Sequence, residues 1–380
     1  MSNKRATITS AGFVILLACL LVLCILTPDK KFSDNENRNL QQMPVLKTAN
    51  IVSGTYMKNF EAYASDSIIA RDGWVKIKNL ADFISGKKDN GTAYFGQDGY
   101  LFPVDNIDKN QFEKNLIYTK NFLNKAKEQN EEINISLLIV PTSSEILREK
   151  MPKYASGLEQ YKLLEKAESY FNSSLINPEE ELLKHKDEYI YYRTDHHWTT
   201  LGAYYTYRLW AQKNEIEPLS ADVFKIEAVS DQFYGTTYSK AAGIKVMPDS
   251  IEKFSYPSMD NVGMSIESLK ETKKLPSLYD KNYLKSKDKY SYFLSGNNPL
   301  TVIEGTAENG RNILVVKDSY ANCFVPFITQ HFQRIYVVDL RYYKESLLNL
   351  AKEKDMTDIL FLYNVIQFSN DRNLVYLLKE

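Results

Sequence analysis

An apolar run extends from about Ile8 to Leu26, preceded by Lys4 and Arg5 and free of charge inside. Its 19 residues, as a helix, span roughly 28 Å, close to the hydrocarbon thickness of a bilayer. The run is long for the apolar part of a signal peptide, and no clear small-x-small cleavage site follows it, so it reads as an uncleaved signal anchor. Leu16-Leu17-Ala18-Cys19 loosely resembles a lipoprotein cleavage box, but apolar residues continue past Cys19. The cationic flank puts the amino end in the cytoplasm and exports the rest. The expected organisation is an anchor over 1–28, a polar linker over 29–50, and a folded domain over 51–380.

Within that domain the pattern alternates between two periods. Tyr56, Phe60, Tyr63, Trp74, Ile77 and Leu80 recur at helical spacing. Gly91 to Val104 alternates around Gln97-Asp98-Gly99, a hairpin signal. A helix is expected over 110–128, followed by a buried strand from Ile133 to Val140 that ends at Pro141. Ile313–Val316, Ile335–Val338 and Ile359–Tyr363 repeat that short apolar run, each ahead of a helical stretch, and Glu188–Tyr192 is a fifth strand candidate. Such runs predict a three-layer α/β fold with a mainly parallel sheet. In such sheets sites lie at the carboxyl ends of strands. Those ends are Pro141–Ser144, Arg193–Trp198, Lys317–Asn322, Asp339–Tyr343 and Asn364. Residues 218–300 lack the rhythm and read as an irregular insertion or cap.

Composition narrows the functions. Charged residues make up 25% of the chain and hydrophobic ones 44%, a globular balance. The net charge of −1 falls to −3 once Lys4 and Arg5 are set aside, so no nucleic-acid partner is expected. Cys19 and Cys24 lie in the anchor, which leaves Cys323 unable to form an internal disulfide. Tyrosine is abundant, at 27 residues, which fits either a tyrosine-rich core or sugar stacking.

Two strand ends stand out chemically. One is Arg193-Thr194-Asp195-His196-His197-Trp198, which holds two of the chain's 4 histidines just before a helix running to about Lys213. The other is Lys317-Asp318-Ser319-Tyr320, at a strand-to-helix junction where a serine is exposed and helix N–H groups face a developing oxyanion. A serine becomes a nucleophile when an imidazole takes its proton and a carboxylate orients that imidazole. Ser319 is the candidate nucleophile, His197 the base and Asp195 its orienter. Trp198 would wall off solvent, and His196 would turn to structure or substrate. Bland readings stay open: Asp195, Thr194 or Thr199 as a helix cap, and Asp318-Ser319 as another. Asp195, His196 and His197 could also ligate a metal. No metal or cofactor is expected.

Asp195-His196-His197-Trp198 resembles the motif of the DHHW family of bacterial surface proteins. That family is similar to the alginate O-acetyltransferase group, which has an SGNH-hydrolase-like (flavodoxin-like) fold. Asp195, His197 and Ser319 match that group's Asp, His and Ser. The resemblance also runs through Asn35-Glu36-Asn37-Arg38-Asn39-Leu40 with Pro44, Asp66 with Arg71-Asp72, Gly96 to Phe102, and Val140-Pro141-Thr142. Departures are Lys317 in place of Gly before Asp318, no evident GxND segment, and no carbohydrate-binding module expected after the last strand. Asn364 is the best oxyanion-hole asparagine, and Arg341 and Tyr342 are expected to line the site.

The resemblance implies a membrane-anchored, extracytoplasmic O-acetyltransferase of a cell-surface polysaccharide. It further implies an integral-membrane acyltransferase that passes acetyl groups across the bilayer. Three alternatives stand beside it: an esterase with the same triad, a non-catalytic polysaccharide-binding or assembly protein on the same fold, and a metal-dependent site.

Overall fold

The computed structural model describes residues 2–33, 38–155, 159–259, 262–268 and 271–379. Asn35, Glu36 and Asn37 of the resemblance lie outside them. The chain divides into two units, Met1–Asn90 with Ser239–Lys245, and Gly91–Tyr238 with Val246–Glu380.

The first unit begins with helix α1 (Ser2–Leu26), whose Ala6–Leu26 stretch is long and apolar enough to cross a membrane. A two-residue ladder, Phe32–Ser33 against Arg38–Asn39, and a short helix, Thr48–Val52, precede α2 (Thr55–Asp66) and α3 (Arg71–Ile84). Asp66 joins these pieces: it accepts from Arg38 at 2.6 and 2.9 Å and from the Gln41 amide at 2.8 Å, and pairs with Arg71 at 3.2 Å. The 239–245 segment is tied in by Asn79 Nδ2 donating to the Ala242 carbonyl (2.9 Å) and Asn90 Nδ2 to the Lys240 carbonyl (2.8 Å). Residues 29–90 therefore group with α1, and the second unit starts at Gly91.

The second unit opens with the expected hairpin, β1 (Ala93–Phe95) and β2 (Leu101–Pro103), followed by α4 (Lys109–Gln129). Asp108 caps α4 by accepting from the Gln111 amide. Next come β3 (Asn134–Val140), α5 (Gln160–Phe171), β4 (Leu175–Ile176) and α6 (Thr200–Lys213). The supposedly irregular insertion carries strands: β5 (Lys225–Phe233) pairs with β6 (Asp249–Ser255), and β7 (Met264–Glu267) with β8 (Thr272–Leu275). Then follow β9 (Leu300–Glu304), β10 (Asn312–Lys317), α7 (Ala321–Ile328), β11 (Arg334–Val338), α8 (Leu347–Glu353), β12 (Asp358–Asn364) and α9 (Val365–Asn370).

Among the described residues the central sheet has eight strands in the order β8-β7-β9-β11-β10-β12-β3-β4. From β11 to β4 neighbouring strands are parallel, while β7, β8 and β9 extend the sheet antiparallel. The apolar runs read as buried strands because both faces are covered. Leu138, Val140, Ile313, Val315, Leu360 and Leu362 enter one core, while Leu137, Ile139, Leu314, Val316, Ile359 and Phe361 enter the other. Helices α6 and α7 contribute to the first core and α4, α5, α8 and α9 to the second, which makes a three-layer α/β sandwich. From β10 the chain crosses to β11 on one side, then to β12 on the other. The carboxyl end of β10 is thus the topological switch point, where crevices form.

Candidate active site

The Asp-His-His-Trp segment is a loop, not a strand end. The expected strand over 188–192 is absent among the described residues. Tyr191 makes one isolated bridge to Trp198, and Tyr192 N and Thr199 N donate to the His197 and Ile190 carbonyls. Ile190, Tyr191 and Tyr192 are buried like strand residues, but the chain reverses at once and closes a loop over 190–199. Buried Asp249, at the start of β6, holds that loop. It accepts from the Arg193 and Thr194 amides (2.8 Å each), the Thr194 hydroxyl (2.5 Å) and the Tyr189 hydroxyl. Burial still raises its carboxyl above the ordinary range, against those donors.

The loop turns Asp195 inward, fully buried, toward segment 234–236. Its Oδ2 accepts from the Thr236 amide (2.7 Å) and hydroxyl (2.9 Å), and its Oδ1 from the His197 amide (3.0 Å) and ring Nδ1. Burial pushes the Asp195 carboxyl up, but the His197 and His196 rings and these donors outweigh it and hold it well below the usual range. Gly235 makes the approach possible: a Cβ there would sit 2.2 Å from Asp195 Cβ and 2.3 Å from Oδ2.

His197 Nε2 lies 2.7 Å from Ser319 Oγ. Ser319 follows β10 and is partly exposed between buried Asp318 and Tyr320. Among the described residues nothing accepts from its backbone amide. Asp318 accepts from the Tyr320 amide (2.8 Å), the Asn364 amide (2.8 Å) and Asn364 Nδ2 (2.6 Å). Burial lifts its carboxyl to about 6. Lys317 is buried too. Its Nζ donates to Asn297 Oδ1 and Asn322 Oδ1 at 2.7 Å each and lies 3.7 Å from Asp339 Oδ2. Burial lowers the ammonium to about 8, with Asp339 opposing.

An aromatic frame holds His197. The His197 ring lies between His196 (centroids 3.8 Å) and Tyr290 (3.7 Å, 12° between planes). The Tyr290 hydroxyl lies 3.2 Å from the Ser319 carbonyl oxygen and 3.3 Å from Cys323 Sγ. The Tyr320 hydroxyl donates to the His196 carbonyl (2.7 Å), and Trp198 Nε1 donates to the Tyr320 carbonyl (3.0 Å).

Ser319, His197 and Asp195 are thus brought into one hydrogen-bonded chain. Trp198 is fully buried and braces the backbone beside Ser319 rather than lining an open site. His196 is partly exposed, with Nδ1 2.6 Å from the Thr236 hydroxyl that serves Asp195. Asn364 is not a free oxyanion donor: its amide nitrogen is engaged by Asp318 and its Oδ1 caps α9 through the Gln367 amide. Arg341 grips Asp339 through two bonds, at 2.5 and 2.9 Å, and Tyr342 is exposed. Among the described residues no hydrogen bond links either to Ser319, His197 or Asp195, and Arg341 instead belongs to the charge network behind Lys317. Thr236, Gly235, Asp249 and Tyr290 escaped sequence reading. Only Gly235, a turn signal, carried a hint.

Asp195, His196 and His197 also present ligand atoms within 4.8 Å of one another. Both His197 nitrogens already face Asp195 and Ser319, so a cation taking this trio would have to displace one of those bonds.

Residues 159–338 match the family described as DHHW protein. The chain is similar to the crystal structure of a DHHW family protein from Eubacterium siraeum, with 22% identity and a TM-score of 0.61, covering 76% of this chain and 98% of that one. It is also similar to Bacillus cereus PatB1 with a sulfonyl adduct, with 18% identity and a TM-score of 0.62, covering 75% and 97%. A looser likeness joins it to the O-acetyltransferase domain of Pseudomonas putida AlgJ, with 12% identity and a TM-score of 0.44, covering 74% and 93%. At these identities the likeness is one of fold. No curated protein matches.

Proposed function

We propose, for a chain whose residues 159–338 match the DHHW family, that it is a serine acyltransferase. In this reading it moves an acetyl group onto a hydroxyl of a cell-surface polysaccharide, outside the membrane to which α1 anchors it. The single observation that carries the reading is the continuous contact from Ser319 Oγ through the His197 ring to buried Asp195.

The chemistry follows from that contact. Ser319 Oγ attacks the donor's acyl carbon while His197 Nε2 takes the hydroxyl proton. The tetrahedral oxyanion faces the unengaged Ser319 amide. On collapse the donor's leaving group departs with the proton from His197, and acyl-Ser319 remains. A sugar hydroxyl then gives its proton to His197 and attacks the ester, which releases the O-acetyl sugar and restores Ser319. Asp195 fixes Nδ1–H toward itself, which keeps Nε2 free to act as the base, and stabilises the imidazolium. Lys317, where the resembled group has glycine, serves the buried pairing with Asp339 behind the nucleophile. An integral-membrane acyltransferase supplying the donor remains the partner this reading implies.

Incubation of the full chain in detergent with an activated acetyl ester should add one acetyl mass to the intact protein and none to Ser319→Ala. Equal labelling of both overturns the covalent mechanism. With acceptor oligosaccharide present, acetyl should appear on sugar faster than as free acetate. The reverse partition makes the protein an esterase on the same triad.

A further inference from the structure

Helix α3 buries a polar residue and leaves an apolar stripe exposed. Its polar Asn79 is buried, donating to the Ala242 carbonyl, and the Lys76 backbone packs within 2.7 Å of where a Gly243 Cβ would lie. The opposite stripe, Trp74, Ile77, Leu80 and Ile84, is 42–73% exposed. These positions lie three to four residues apart and form one continuous apolar face. An isolated exposed apolar residue needs no explanation, but a helix-long stripe does.

What covers that face is indicated by its neighbour. The amide of Ile69, just before α3, donates to Cys24 Sγ of α1 at 3.3 Å. Leu20, Cys24, Ile68, Ile69, Trp74 and Val75 line one shared groove. Leu20 lies six residues before the end of α1, about 9 Å along its axis. The start of α3 therefore sits beside the last turns of the apolar helix, at the depth where interfacial helices bury their apolar face, about 5–10 Å. Tryptophan is the side chain most suited to that level, with its ring in the acyl region and its N–H at the polar edge.

We propose that α3 is an interfacial helix, lying in the outer surface of the bilayer with Trp74, Ile77, Leu80 and Ile84 inserted among the lipid chains. The occupant of the exposed stripe is lipid. With the spanning helix this gives the first unit a second attachment and removes its freedom to rotate about α1. The proposal rests on α1 crossing the bilayer.

The full chain, reconstituted at one copy per lipid disc, tests this through tryptophan emission. Trp198 and Trp210 are buried, so Trp74 is the indole that lipid can reach. Discs whose acyl chains carry bromine should quench the wild-type emission, and Trp74→Phe should lose that quenching. Ile77→Asp with Ile84→Asp should reduce it while the near-ultraviolet circular dichroism of the buried aromatics is kept. Equal emission in brominated and plain discs overturns the proposal. Quenching that persists in Trp74→Phe overturns it as well. A chain that fails to co-elute with discs overturns the anchor and, with it, this helix. A chain that co-elutes unquenched overturns the helix alone.

Discussion

Gly235→Ala isolates the part played by close packing behind Asp195. The added methyl would lie 2.2 Å from Asp195 Cβ, 2.3 Å from Oδ2 and 2.6 Å from Cγ, whereas ordinary contact begins near 3.4 Å. Asp195 or segment 234–236 must therefore yield by about 1.2 Å. The backbone at Gly235 does not need a positive φ, so the effect is steric rather than conformational. Asp195 cannot shift that far and keep the Thr236 and His197 donors in range. A misplacement of ~1 Å costs roughly 10²-fold, and complete loss of the orienting carboxylate roughly 10⁴-fold. The acylation rate should fall between these limits, a barrier increase of about 2.7–5.5 kcal/mol. Stopped-flow release of a chromogenic leaving group from an acetyl ester measures it, with thermal unfolding as the control for folding. If the methyl acts only through Asp195, adding Gly235→Ala to Asp195→Asn should cost little more than Asp195→Asn alone. A wild-type rate in Gly235→Ala, or losses that multiply in the double variant, would refute the reasoning.

Other expectations follow from the buried network and the aromatic frame. Asn364→Ala should cost about 1–3 kcal/mol of stability by leaving Asp318 short of a donor, while acylation falls by less than the ~10²-fold of a lost oxyanion donor; denaturant titration and burst kinetics read the two separately. Lys317→Met should alter the pH dependence of stability. The unfolded chain keeps that ammonium protonated to its ordinary 10.5, whereas the folded chain releases it near 8. Between those values the unfolded state binds more protons, so wild-type stability rises with pH relative to Lys317→Met, by up to about 3 kcal/mol. A flat difference in melting temperature across that window contradicts it. Tyr290→Phe keeps the ring against His197 but loses the hydroxyl contacts with the Ser319 carbonyl and Cys323, so stability should fall by about 1 kcal/mol. Acylation should persist in that variant, and Tyr290→Ala should lose both in the same assays.

Legibility of the fold followed burial. β3, β10, β11 and β12 were readable because a strand covered on both faces becomes an apolar run. β5 and β8 were not, since Lys225–Phe233 and Thr272–Leu275 are mostly exposed and show no alternation. Glu188–Tyr192 misled for the opposite reason: it has a strand's composition because it is buried, yet its backbone closes a loop. The trio of Asp195, His197 and Ser319 was legible because scarce histidine concentrated at one point. Asn364 sits at the expected strand end, but position does not reveal which way an amide turns, and Asp318 decides that. Tyr290 and Thr236 meet the site from a region with no local signal. The tyrosine excess resolves partly as core, since twelve of the 27 are buried.

The bond from the Trp198 indole to the Tyr320 carbonyl gives the chain an optical gauge of its own. The indole senses the electric field at the residue following Ser319, and Tyr320 lies 5.1 Å away, ring to ring. Any event that moves the end of β10, such as the acylation of Ser319 proposed above, would change the colour and yield of that emission without an added dye. In a Trp74→Phe background the remaining indoles are Trp198 and Trp210, so the proposed acylation could be followed in real time from inside the protein.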